Sequence, residues 1–505
     1  MTTKEPGADA TGRFPLGIAG LDAILNGGVF RGGIYIVQGT PGSGKTILGN
    51  QICFNFASRG GSALYVTLLA ETHARMLSHL SQMSFFDAAA VPDRVSYLGA
   101  FRVLEDEGLK ALLDLIRREV RGRKAGVVVL DGMATVGQSV SSDLELKKFV
   151  HELQTQAVFS NCTMFLLTNG SRSPLAQSPE YTMVDGLMEL RSRMVERRSE
   201  RLIQVHKLRG SDYLSGEHSF RISEDGILVF PRMEALLTSP ALPERADVSK
   251  VSSGVESLDR IMDGGPCRSS VTVVLGPAGS GKTTLGMQFL GESSAEEPGL
   301  FVGLNESPSA LHAKTRALGF RLSKHLETGE VGVLWQPGGE GILDELCQRV
   351  LDVVRARKVR RLFIDSVEGF ERFATDPLRS SGIVIALCNE LRALGVTTFI
   401  TAETELAGVV PGQPLAGLAL KGMSPIAENI LIMRLAAVRS KVHRLITVIK
   451  ARDSNVDMRM RRFEITPKGL VIEDDFASAD AVLGELSAHA QLLPGRATDT
   501  SLGRV

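Results

Sequence analysis

The sequence predicts a doubled α/β chain: two consecutive domains, each a mostly parallel twisted sheet with helices on both faces. Three observations carry that reading. A glycine-rich loop occurs twice, as "GTPGSGKT" from Gly39 to Thr46 and as "GPAGSGKT" from Gly276 to Thr283. The repeat is larger than the loop, because "GIAGLDAILNGG" from Gly17 and "GVESLDRIMDGG" from Gly254 stand the same distance before it. An ungapped match over that span means duplication. Within each half, short apolar runs alternate with longer amphipathic stretches, the pattern of a parallel sheet covered by helices.

The elements follow in order. Residues 1–12 lack an apolar signal region and read as a disordered start. The first domain is expected over 13–231. Its "GIYIVQG" is the strand that feeds the first loop. "YVTLLAETHARM" (65–76) supplies the neighbouring strand, read as ending in Glu71. "LKALLDLIRREVRGR" (109–123) has helical spacing, and "GVVVLDG" (126–132) is a buried strand carrying Asp131. Residues 232–248 are rich in proline and charge and suit a linker. The second domain is expected over 249–474. "SVTVVLG" precedes its loop, "FVGLNESPSAL" (301–311) carries Glu306, and "RLFIDSV" carries Asp365. "SGIVIALCNELRALG" (381–395) and then "VTTFITAE" (396–403) repeat the helix-then-strand step. Residues 475–505 are rich in Ala, Ser and Gly and read as a mobile tail with one short helix.

Composition sets limits. A chain of 505 residues is long for one core. Lys+Arg and Asp+Glu each number 57, so no global field steers the protein to nucleic acid or to an anionic surface. No apolar run is long enough to span a membrane, and a cytoplasmic protein is expected. The five cysteines are scattered, without a Cys-x-x-Cys pair, and read as reduced core residues.

Each loop fits G-x-x-x-x-G-K-[ST]. The glycines let the backbone close round a phosphate, successive N–H groups point inward, and the following helix begins with its positive end there. ATP is the expected ligand, cradled by Gly39, Thr40, Gly42, Ser43 and Gly44 in one domain and by Gly276, Pro277, Gly279, Ser280 and Gly281 in the other. Lys45 and Lys282 would reach the β- and γ-phosphates, and Thr46 and Thr283 would ligate Mg2+. Asp131 and Asp365 close apolar strands where such sheets bind ligands. A carboxylate there either holds the hydration shell of Mg2+ or starts a turn. Glu71 and Glu306 either orient and deprotonate the attacking water or belong to helix starts.

At these residues the sequence resembles the KaiC family, circadian-clock ATPases of the RecA-like superfamily. The resemblance covers about 13–474 and rests on "PLGIAGLDAILNGG", "GTPGSGKT", "VVVLDG" and "KLRGSDYLSGEHSFRISEDGILVFP". It implies two tandem RecA-like P-loop NTPase domains and a two-tiered homo-hexamer whose assembly nucleotide promotes. It implies ATP between neighbouring subunits, and signalling or KaiB-like partner proteins. By resemblance, Lys207 and Arg209, and in the second domain Lys450 and Arg452, would reach the γ-phosphate bound by the adjacent subunit. The alternative is a pair of surface cations at a strand end.

The departures from the family pattern are specific. Such domains commonly carry two adjacent glutamates, and here Ala70 and Asn305 occupy the first place. The second domain of KaiC phosphorylates neighbouring Ser and Thr residues. The matching stretch "LKGMSPIAENILIMRL" keeps Ser424, loses the threonine, and follows the serine with Pro425. Asp453 stands where Gly is usual after Lys-x-Arg. ATP hydrolysis is therefore the first expectation and Ser/Thr autokinase activity at Ser424 the second. A RecA- or DnaB-like DNA-dependent motor is the third. The basic run "RSRMVERRSER" (191–201) would line its channel, against the commoner solvated helix face or hairpin. DNA is not the expected partner, because charge is balanced and base-stacking aromatics are few.

Overall fold

The structure is a computed structural model that describes residues 12–69, 73–140, 142–169, 179–195, 197–237, 249–304, 306–317, 319–337, 341–374, 376–404, 426–438, 441–452, 454–467 and 469–492. The chain divides into two compact units, Met1–Leu236 and Leu237–Val505.

In the first unit, β1 (Arg13–Phe14) and β2 (Val29–Phe30) form a small antiparallel pair. The main sheet holds β3 (Ile34–Gly39), β4 (Ala63–Thr67), β5 (Val95–Gly99), β6 (Val127–Asp131), β7 (Thr163–Asn169), β8 (Gly186–Val195), β9 (Arg198–Leu208), β10 (Glu217–Ser223) and β11 (Gly226–Phe230). Their order is β11-β10-β9-β8-β3-β7-β6-β4-β5. From β5 to β8 the pairs are parallel, and from β8 to β11 they are antiparallel. The second unit repeats the arrangement with β12 (Val271–Gly276), β13 (Gly299–Gly303), β14 (Val331–Trp335), β15 (Arg361–Asp365), β16 (Thr397–Glu403), β17 (Asn429–Val438), β18 (Lys441–Ala451), β19 (Arg461–Thr466) and β20 (Gly469–Ile472), in the order β14-β13-β15-β16-β12-β17-β18-β19-β20.

Near-continuous apolar runs become central strands because both faces are covered. Tyr35 and Val37 of β3 pack with Val129, Phe165, Ile52 and Phe54 on one face. Ile34 and Ile36 pack with Val128, Leu130, Leu112 and Phe149 on the other. Successive side chains point to opposite faces, so one strand feeds two cores. In the second unit Val274, Phe301, Phe363 and Phe399 gather with Leu285 and Phe289. There the Phe289 and Phe399 rings stack at 4.1 Å.

Several expectations change. Strand β13 ends at Gly303, so Glu306 lies in the connection beyond it rather than at the strand end. Packing of the first unit runs past 231, since Met233–Leu236 is a helical turn with Met233 buried. The expected tail carries a helix at Ala477–Leu492, whose Ala479 and Val482 pack against Ala436 and Leu445 of the second sheet. Of the basic run, residues 191–195 lie in β8 and 198–201 in β9, with Arg193 bonded to Glu200 between the two strands. The helix read over 109–123 is present as read, and a second short helix from Phe101 precedes it across a break at Gly108, where φ is 81°.

Candidate functional site

Each loop joins the C-terminal end of a central strand to a helix. Gly39 ends β3 and Lys45 begins the helix Lys45–Ser58. Gly276 ends β12 and Lys282 begins Lys282–Leu290. A Cβ on Gly39 would stand 2.4 Å from the Leu190 carbonyl oxygen, and one on Gly276 2.7 Å from that of Met433. Those positions therefore require glycine. Gly44 and Gly281 precede the helices at φ 105° and 108°, a region that L side chains avoid. Gly42 and Gly279 also have positive φ, and a Cβ there would meet open space. Between Gly39 and Lys45 the chain turns through Thr40, whose carbonyl accepts from Ser43 N. Pro277 and Ser280 make the same turn in the second loop.

In each loop the lysine ammonium folds over its own carbonyls. Lys45 Nζ donates to Gly39 O at 2.7 Å and Thr40 O at 3.0 Å. Lys282 Nζ donates to Gly276 O at 2.7 Å and Pro277 O at 2.9 Å. Burial lowers the pKa of both lysines. For Lys45 the field of Asp131 opposes that shift; for Lys282 the opposing groups are Glu403, Asp365 and Glu368. The first unit has Asn169 where Glu403 stands and Ala134 where Glu368 stands, so the second loop lies in a more negative field.

Ser43 Oγ and Ser280 Oγ are buried in the loop cradles without a hydrogen-bond partner. An orphaned donor, a ring of helix-terminal N–H groups and a cation fit a polyphosphate. Thr46 and Asp131 meet at 3.1 Å, and Thr283 and Asp365 at 2.8 Å. One hydroxyl and one carboxylate per loop fit Mg2+, which keeps several of its waters beside phosphate oxygens. Among the described residues no three His, Cys, Asp or Glu side chains converge as a metal cage.

The structure separates the remaining candidates. Glu306 Oε1 is 2.8 Å from Lys314 Nζ, while its Oε2 is buried and unpartnered. Glu71 and Ser424 lie outside the described residues, as do Ala70, Asn305, Pro425 and Asp453. Lys207 Nζ donates to the Tyr181 and Thr182 carbonyls, and Arg209 to those of Met183 and Thr182. Lys207 pairs with Leu187, which pairs with Ile36, three residues before Gly39. That offset is about 10 Å along the strand, and the chain then runs further from the loop. Lys450 stands likewise, through Ile430 and Val273. Arg209 and Arg452 are exposed. Neither Lys-x-Arg pair faces the loop of its own unit.

Sequence reasoning missed two contacts to the loop region. Arg201 Nη1 donates to Gly42 O at 3.0 Å, because β9 extends past the sheet edge beside the loop. Tyr65 donates from β4 to Asp131 Oδ2 at 2.6 Å. The second unit's carboxylate instead accepts from Thr401 Oγ1 at 2.6 Å. Superposing the two halves in sequence would have flagged Tyr65, since Phe301 stands at its place.

The model of the ATPase family described as "ATPase: KaiC" matches residues 14–234 and again 251–476. The circadian clock oscillator protein KaiC of Picosynechococcus sp. is 26% identical over 484 residues, which cover 92% of this chain and 90% of that relative. The circadian clock oscillator protein KaiC 1 of Synechocystis sp. is 26% identical over 487 residues, with 92% and 90% covered. The Prochlorococcus marinus circadian clock oscillator protein KaiC is 26% identical over 494 residues, with 93% and 92% covered.

Proposed function

Because the chain belongs to the KaiC ATPase family, we propose that it is a two-site, Mg2+-dependent ATPase acting as a switch or timer in circadian-type signalling. The observation that carries the reading is the doubled cradle. Each unit has a lysine folded over its own loop carbonyls and a buried, unpartnered serine hydroxyl. A triphosphate in the loop would give the hydroxyl an acceptor and the ammonium phosphate oxygens in exchange for its carbonyls.

In this reading Lys45 and Lys282 turn from the loop carbonyls to the phosphate oxygens. Thr46 with Asp131, and Thr283 with Asp365, would hold Mg2+, which neutralises charge on the β- and γ-phosphates. Glu71 and Glu306 orient the attacking water and accept its proton. Lys207, Arg209, Lys450 and Arg452 stand set back from their own loops, so in this reading they serve the γ-phosphate on a neighbouring subunit. That geometry supports a nucleotide-promoted homo-hexamer, cytoplasmic, with signalling or KaiB-like proteins as its readers. Among the described residues no helix is long and apolar enough to cross a membrane. Hydrolysis, rather than transfer to Ser424, is the proposed fate of ATP.

The test is ATP binding stoichiometry and phosphate release with and without Mg2+. Two nucleotides per chain and release that stops in a Lys45→Ala/Lys282→Ala double variant are expected. Undiminished release from that double variant would overturn the reading.

A further inference from the structure

The two units hold their loop carboxylates from opposite sides. In the first, Tyr65 of β4 is fully buried and donates to Asp131 Oδ2, the same oxygen that accepts from Thr46. Beside it, 5.6 Å between ring centroids, stands Tyr97 of β5. The Tyr97 hydroxyl donates to Asn50 Oδ1 at 2.8 Å, and Asn50 Nδ2 donates to the Thr46 carbonyl at 2.8 Å. Three polar side chains therefore tie both members of the Thr46–Asp131 pair to neighbouring elements.

The second unit has none of them. Tyr65 and Tyr97 are register partners, and at the same register stand Phe301 and Val333. Asn50 lies five residues after Lys45, and Met287 lies five after Lys282. Asp365 is held instead from β16, where Thr401 Oγ1 donates to Oδ1 while Thr283 reaches Oδ2. The first unit has buried Leu167 in β7, paired with Asp131, at the place of Thr401.

A buried carboxylate keeps its direction only while donors hold it. A hydroxyl on an aromatic ring locked in a core is a rigid donor. We propose that Tyr65 is a positioning residue of the first site: it fixes the direction of Asp131 and so sets that site's requirement for the divalent cation, while Thr401 does this for the second site. The proposal rests on the reading of both loops as Mg2+-ATP sites. Tyr65 acts through Asp131 and touches neither nucleotide nor cation. The two sites of one chain are thereby tuned by different residues on different strands.

The experiment uses the full chain with the second loop silenced by Lys282→Ala. Binding of a fluorescent ATP analogue is followed against Mg2+ concentration, with a parallel series in EDTA. Tyr65→Phe is expected to raise the half-saturating Mg2+ about tenfold, the loss of one hydrogen bond to a charged group, with affinity in EDTA unchanged. Adding Leu167→Thr to Tyr65→Phe installs the second site's donor and is expected to restore most of the shift. A merely structural tyrosine would lower the melting temperature and leave the Mg2+ requirement alone. An unchanged Mg2+ requirement, an equal loss in EDTA, or no restoration by Leu167→Thr would overturn the proposal. A parent Lys282→Ala protein that binds no nucleotide would remove the ATP-site reading, and this proposal with it.

Discussion

Glu306 and Lys314 form an ion pair at 2.8 Å between the connection after β13 and the helix Pro308–Ala317. The lysine occupies one oxygen of the carboxylate proposed to take a proton from water. Both side chains are about one-third exposed, so the pair is weak and its strength bounds its effect. Ion pairs this open to solvent are worth up to about 1 kcal/mol, or roughly a fivefold change in rate. Lys314→Met is therefore expected to raise hydrolysis at the second site by up to about fivefold. Phosphate release in a Lys45→Ala background measures it. A fall in turnover would mean that Lys314 assists Glu306 rather than restraining it.

Glu71→Gln and Glu306→Gln keep side-chain shape and lose the base. Each is expected to cut turnover at its own site about 100-fold or more, with ATP affinity nearly intact. Single-turnover hydrolysis and equilibrium binding separate the two effects. Unchanged turnover in the double variant would assign the water to another group.

Lys45→Ala and Lys282→Ala should each remove one nucleotide per chain, because each lysine bonds only to carbonyls of its own loop among the described contacts. Isothermal titration counts the sites. Loss of both sites from either single variant would contradict their independence.

Mixing distinguishes cis from trans action by Arg209. In a Lys282→Ala background, Arg209→Ala and Lys45→Ala subunits should each be inactive alone. Assembled together they should regain activity, since intact loops then meet intact arginines. Light scattering with and without ATP should report assembly in parallel. A mixture as inactive as its parts would mean that Arg209 acts on the nucleotide of its own subunit.

The loops were legible because their chemistry is local. Glycines at φ 105° and 108°, a helix start and a lysine lie within eight residues, and the sequence states all of them. Asp131 and Asp365 were legible as the last residues of apolar runs. The Tyr65–Asp131 and Arg201–Gly42 bonds were not, because they depend on which strands become neighbours and on how far β9 overruns the sheet. The antiparallel third of each sheet was similarly hidden. The tips of β8 and β9 carry a basic run that, read alone, fits a helix face equally well. The Ala477–Leu492 helix packs through a short patch of Ala479, Val482 and Leu483, and its Ala-rich composition alone reads as tail.

Lys207 is set back about 10 Å along the strands from its own loop, and its proposed service to a neighbouring subunit has a kinetic consequence. In that reading a solitary subunit assembles the cradle for its own nucleotide but lacks the cations that a neighbour brings to the γ-phosphate. Activity per molecule would then climb with abundance and vanish on dilution, without any inhibitor. A cell using this protein would find its own synthesis rate written into the rate of ATP consumption, so expression level itself becomes an input to the timer.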